Sequence, residues 1–96
     1  SMSNHSIFIY GYGFNDQQFD TVFENTKKDV IVLSMEIKKD IIDRALTNTN
    51  WTIFYKQIKE DKEVDDDYSF MVYKGKQYKL NSQLWNLDDF VKVFIG

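Results

Sequence analysis

Two short runs of unbroken apolar residues, each followed by a helical pattern, constrain the fold of this 96-residue chain more than any other feature. The first is IFIY, residues 7–10, and the second lies in DVIVLSM, residues 29–35. β-Branched and aromatic residues fill both without polar alternation, as in strands buried on two faces of a sheet. A hairpin with one wet face would alternate. Strands covered on both faces need helices on both sides, so the two runs predict an α/β fold with parallel strands.

The helical patterns between the runs agree with this. Asn15 is a good N-cap, Gln18 stands three residues later as in a capping box, and Phe14 and Phe19 suit a hydrophobic staple. Phe19, Val22, Phe23 and Thr26 then recur at helical spacing, and Lys27 and Lys28 complement the negative end of the dipole, which predicts a helix over 16–28. Ser34 is expected to cap a second helix with the stripe Ile37, Ile41, Ile42, Ala45 and Leu46. After a polar break at 47–50, WTIFYKQI reads as a third strand, with Trp51, Ile53 and Tyr55 alternating against Thr52, Phe54 and Lys56. The expected pattern is βαβαβ, with parallel strands joined by right-handed crossovers.

Residues 59–67, KEDKEVDDD, read as a solvated loop; the aspartates at 65–67 lack the glycine and terminal glutamate of a calcium loop. FMVYKGKQYKL predicts a hairpin with a two-residue turn at Gly75 and Lys76, pairing Tyr73 with Tyr78 and Met71 with Leu80. Asn86, with Asp89 three residues on, caps a last helix whose stripe is Leu87, Phe90, Val91 and Phe94. The expected fold class is thus α/β: a Rossmann-like βαβαβ half with parallel strands, then a β-hairpin and a C-terminal helix, in a single domain over 1–96.

Twelve lysines and arginines against 15 acidic residues give a net charge of −3, which provides no basic footprint for nucleic acid. The absence of cysteine rules out a disulfide framework and a cysteine-based zinc site, and the apolar runs are too short for a membrane-spanning helix. No nucleic-acid partner, no membrane and a cytoplasmic location are expected. His5, the single histidine, sits in a polar lead-in and receives no role; neither a Ser-His-Asp set nor a histidine pair at metal-ligand spacing exists. Ser1-Met2 reads as the remnant of a cleaved tag, and strand-like sequence starts soon after, as expected of a piece of a longer protein.

The run GYGFND, which follows a strand and opens a helix, has the context of a dinucleotide-binding turn. Asp16 occupies the position of the third glycine, and its carboxylate would compete with a phosphate for the helix N-terminus. Glu36 stands at the end of the second strand, where a ribose hydroxyl is held, slightly farther from Gly11 than the usual spacing of about 20 residues. A structural βα turn accounts for the same residues and is the preferred reading on residue types alone. Tyr10, Tyr12, Phe14 and Phe54 suit a base-stacking surface, and core or rim packing explains them equally well.

The GYGFND run, preceded by its apolar strand, and the closing LWNLDDFVKVFIG resemble the late part of bacterial sirtuin-like (silent information regulator) domains. The resemblance implies a Rossmann-like NAD fold, which in bacterial antiphage defence proteins is often an NAD hydrolase. It implies cofactor contacts at Gly11, Tyr12 and Gly13, with Gly13 replacing the hydroxyl-bearing serine of the family turn, and at Ser34 or Glu36, where the family has an asparagine. The family's Gly-rich first turn and its catalytic asparagine or aspartate and histidine lie upstream of the resembled part, so this chain alone lacks the catalytic residues. The expected function is the C-terminal half of a sirtuin-like NAD-binding or NAD-hydrolysing domain, supplying the adenosine and phosphate side of the site. Its expected partner is the remainder of the parent protein, or a second copy joined through an exposed sheet edge. The competing expectation is a small α/β protein-interaction module with no nucleotide.

Overall fold

A computed structural model of the chain describes residues 7–11, 17, 29–59 and 68–95. These form a five-stranded mixed sheet of order β1-β2-β3-β4-β5 and two helices, an α/β arrangement. The strands are β1 (Ile7–Tyr10), β2 (Val30–Ile37), β3 (Trp51–Ile58), β4 (Ser69–Tyr73) and β5 (Lys76–Leu80). The helices are α1 (Lys39–Leu46), between β2 and β3, and α2 (Leu87–Phe94) after β5. β1, β2 and β3 are parallel, with Ile7 beside Val30 and Val30 beside Trp51, while β3-β4 and β4-β5 are antiparallel. Of the expected helix over 16–28, Gln17 is helical and the other residues lie outside the described residues, as do Asn15, Phe14, His5 and residues 60–67 of the charged loop.

The unbroken apolar runs serve two cores. On one face Val30 and Val32 meet Ile41, Ile42 and Ala45 of α1, with Trp51, Ile53, Tyr55 and Val72 completing the cluster. On the other, Leu33 and Phe54 meet Phe90 of α2, flanked by Ile31, Met71 and Trp85. β2 and β3 are therefore covered on both sides, which is why neither alternates in polarity. Phe54, written as the outward partner of Ile53 in the sequence, is buried against α2.

Four further expectations need correction. The run IFIY is not buried on both faces: β1 lies at the edge of the described sheet, and Phe8 and Tyr10 on its α2 side are exposed. Ser34 does not cap a helix: β2 continues to Ile37 because its register with β3 runs on through Ser34–Tyr55, Glu36–Gln57 and Ile37–Ile58. Lys38 takes the cap position without a side-chain cap bond, and Ile37 joins the core from the strand, not from the helix.

The hairpin turn is Lys74-Gly75, with φ of 50° and 77°, not Gly75-Lys76. Two successive positive φ values give a twist that matches the flanking strands. Met71 therefore pairs with Tyr78 and Tyr73 with Lys76, a slip of two residues that keeps every side chain on its expected face.

Lys56 is not a solvated alternate. It is 7% exposed, and its ammonium donates to the Tyr68 carbonyl at 2.6 Å. Its long stem follows apolar surface while the charged head reaches a backbone acceptor.

The last helix forms as its sequence predicts. The Asn86 side chain accepts from the Asp88 N–H at 2.9 Å, and Asp88 and Asp89 lie in the first turn where the dipole favours them. Ser69, fully buried at the start of β4, donates to the Ser82 carbonyl at 2.5 Å and ties down the segment that leads into α2. Among the described residues no helix is long and apolar enough to cross a membrane.

Candidate functional site

The residues that the sequence singles out gather at the carboxyl ends of β1 and β2. Gly11 continues the β1 ladder, its N–H donating to the Leu33 carbonyl at 3.2 Å. Its φ of +155° and the open space where a Cβ would stand leave its backbone unshielded. By the same register it lies beside Ser34. Ser34 is 1% exposed, and its hydroxyl donates to the Glu36 carbonyl at 2.6 Å, so a ligand there would compete with that bond. Glu36 is half-buried, and its carboxylate accepts from the Gln57 amide at 3.0 Å. Tyr12 and Gly13 lie outside the described residues.

The strand order bears on what this end of the sheet can do. Ligands of open α/β sheets sit where the strand order reverses, because the loops there splay apart. Consecutive strands β1, β2 and β3 are neighbours throughout, and β1 lies at the edge. A reversal at Gly11 would need a further strand along the outer side of β1.

A second concave feature lies on the opposite face from α1. A groove of about 400 Å³ runs between α2 and the sheet, lined by Ile31, Thr52, Phe54, Met71, Tyr73, Phe90 and Phe94. Ile31 and Thr52 are each second in their strands, so the groove sits toward the amino ends of β2 and β3. Gly11 lies three residues further along the register, roughly 10 Å away at the strand rise.

The groove has a buried wall and an exposed rim. Phe90, 2% exposed, packs edge-on against Phe54 at 5.6 Å between ring centroids and meets Phe8 at 5.5 Å. Phe94 leans on Phe90 at 4.7 Å yet remains 48% exposed. Beyond it Val93 and Ile95 are more exposed still. Among the described residues of the lining, the only polar side-chain groups are the hydroxyls of Thr52 and Tyr73. The sequence marks Phe90 and Phe94 as one buried stripe; the structure buries the first and leaves the second at the groove's mouth. Thr52 of β3 and Met71 and Tyr73 of β4 carry no sequence signal of a shared site, since only the pairing of the two strands brings them together.

On the α1 side, Tyr55 is buried, stacks on Phe70 at 5.4 Å, and its hydroxyl accepts a bond from the Gln77 amide. Burial pushes this phenol above its ordinary range, with the Gln77 bond acting in the opposite sense. Among the described residues no group of three His, Cys, Asp or Glu side chains lies close enough to hold a metal ion. Comparison of the chain with protein-family models, with curated proteins and with solved structures gives no significant match.

Proposed function

We propose that the chain is a small α/β interaction module that receives an apolar, aromatic-bearing segment of another protein in the groove beneath α2. The observation that carries this reading is the composition of the groove: aromatic rings, Ile31 and Met71, with two hydroxyls and no charged group among the described lining residues. Such a surface favours desolvation of apolar side chains, with a few polar groups to orient them. A diphosphate would instead call for cationic or N–H donors. The volume has room for a few large side chains, and half-exposed Phe94 and Tyr73 can close over them.

A second reading keeps the sirtuin-like expectation. In it the chain is a Rossmann-like half of an NAD-binding or NAD-hydrolysing domain, with Gly11, Tyr12, Gly13, Ser34 and Glu36 on the adenosine side. Its support is Gly11, unshielded at the carboxyl end of an edge strand to which the rest of a larger sheet could pair.

Amide and methyl shifts in labelled protein separate the two. A short peptide bearing a phenylalanine and two leucines is expected to shift Ile31, Thr52 and Met71, and Phe94→Glu to abolish the effect. ADP-ribose is expected to leave those residues unmoved. Shifts confined to Gly11, Ser34 and Glu36 on adding ADP-ribose, with none from the peptide, would give the site to the nucleotide.

A further inference from the structure

The two edges of the sheet differ in a way that points to a partner. β5, at one edge, presents Lys76 and Lys79 to solvent, and charged side chains of this kind keep an edge from pairing with another chain. β1, at the other, is Ile-Phe-Ile-Tyr, with neither charge nor proline. Its Phe8 and Tyr10 are 38% and 52% exposed.

The hydrogen bonds within β1 show which of its backbone groups are free to pair. The N–H groups of Ile7 and Gly11 donate to the Asp29 and Leu33 carbonyls, at 2.7 and 3.2 Å, so the odd-numbered residues turn their polar groups toward β2. Peptide groups alternate sides along a strand, so the N–H and C=O of Phe8 and Tyr10 point away from the sheet. Among the described residues, β1 pairs with β2 alone.

We infer that two copies of this chain join antiparallel through β1, about a two-fold axis at Ile9. An axis normal to the sheet keeps like faces together, so residues opposite one another must share a face. Centring at Ile9 meets this condition and uses every outward group. Phe8 exchanges both ladder bonds with Tyr10 of the second copy, and Tyr10 does so with Phe8. The same register sets each Phe8 ring across from a Tyr10 ring on the groove side, covering the two large exposed apolar residues of the strand. Centring at Phe8 would pair Phe8 with itself and leave the outward groups of Tyr10 unmatched within β1. The interface is small, so the dimer is weak, with Kd on the order of 10–100 µM. It does not depend on what fills the groove.

Sedimentation equilibrium on the full chain, from tens of micromolar to millimolar, is expected to show a monomer–dimer equilibrium. Tyr10→Lys places at this edge the charge that β5 already carries, and is expected to give a monomer with an unchanged circular dichroism spectrum. The register is read by cross-linking, because the chain has no cysteine of its own. Ile9→Cys puts two thiols across a non-hydrogen-bonded pair, about 4.5 Å between Cα atoms, within disulfide reach. Phe8→Cys puts them diagonally, about 7 to 8 Å apart, and should cross-link at least tenfold more slowly. A chain that stays monomeric at millimolar concentration overturns the inference, as does Tyr10→Lys remaining dimeric. Equal cross-linking of the two cysteine variants overturns the Ile9 register.

Discussion

Phe90→Ala tests whether one ring fastens α2 to the sheet. Phe90 is the one residue of α2 that is buried outright, between Leu33 and Phe54 and in ring contact with Phe8. Full burial of a phenylalanine contributes about 1.5–3 kcal/mol. The lost ring contacts to Phe8 and Phe54 add about 0.5–1.5 kcal/mol each, and the cavity adds more if the site cannot collapse, so the expected loss is about 3–5 kcal/mol. A domain of this length has a total stability of roughly 5–15 kcal/mol, so the loss is a large share of it. An eight-residue helix has little stability of its own, and the Phe90 cluster lies on the opposite face from α1. Part of the effect should therefore appear as local undocking. The assay is urea unfolding combined with amide exchange. The midpoint should fall by at least about 1 M, given a slope of about 1–3 kcal/mol per M. Amides of α2 should lose protection well beyond those of β3. Phe94→Ala, half-exposed, is the internal control and should cost about 1 kcal/mol or less. If Phe90→Ala costs no more than Phe94→Ala, α2 is not held through this ring and the groove has no fixed wall.

Gly75→Ala should destabilise by about 1–2 kcal/mol or more in urea unfolding, because an L-residue strains at φ +77° and the new Cβ would stand 3.0 Å from the Leu46 carbonyl oxygen; a neutral result would show that the turn is not the Lys74-Gly75 one. Stability should also decline in alkali through Tyr55. Its folded pKa is raised above the ordinary 10.0, so its contribution is fully present below that value and is lost as pH rises from there through the folded pKa. Unfolding free energy measured from pH 8 to 11 should show a downward slope that Tyr55→Phe reduces, and an identical slope in the variant would refute the assignment.

The parallel strands, the C-terminal helix and its cap were legible because each rests on a local signal. The apolar run of β2 calls for a sheet covered on both faces, and Asn86 supplies an acceptor for an N–H that any helix start leaves open. β3 has the bounds its sequence predicts, Trp51–Ile58. The misread points are those where a local preference met a competing long-range one. Ser34 is an adequate cap in isolation, but the ladder with Tyr55 and Gln57 holds its neighbourhood in the strand until Ile37. Lys56 looks polar and outward in the sequence, yet Tyr68, distant in the chain, supplies the acceptor that lets it be buried.

Apolar periodicity and caps act over a few residues and need no partner, so an α/β sheet of parallel strands and a hairpin is written in local patterns. Where surface is left over is set by how distant segments pack. Whether Phe94 or Phe90 of one stripe is buried depends on where α2 crosses the sheet, and whether Thr52 meets Met71 and Tyr73 depends on the pairing of β3 with β4. Likewise IFIY is apolar wherever it lies, but its position at the sheet's edge turns the N–H and C=O groups of Phe8 and Tyr10 outward, unpaired with any other strand of the described sheet. Those are relations between distant segments, set by packing and hydrogen bonding across the sheet, and no window of neighbouring residues contains them.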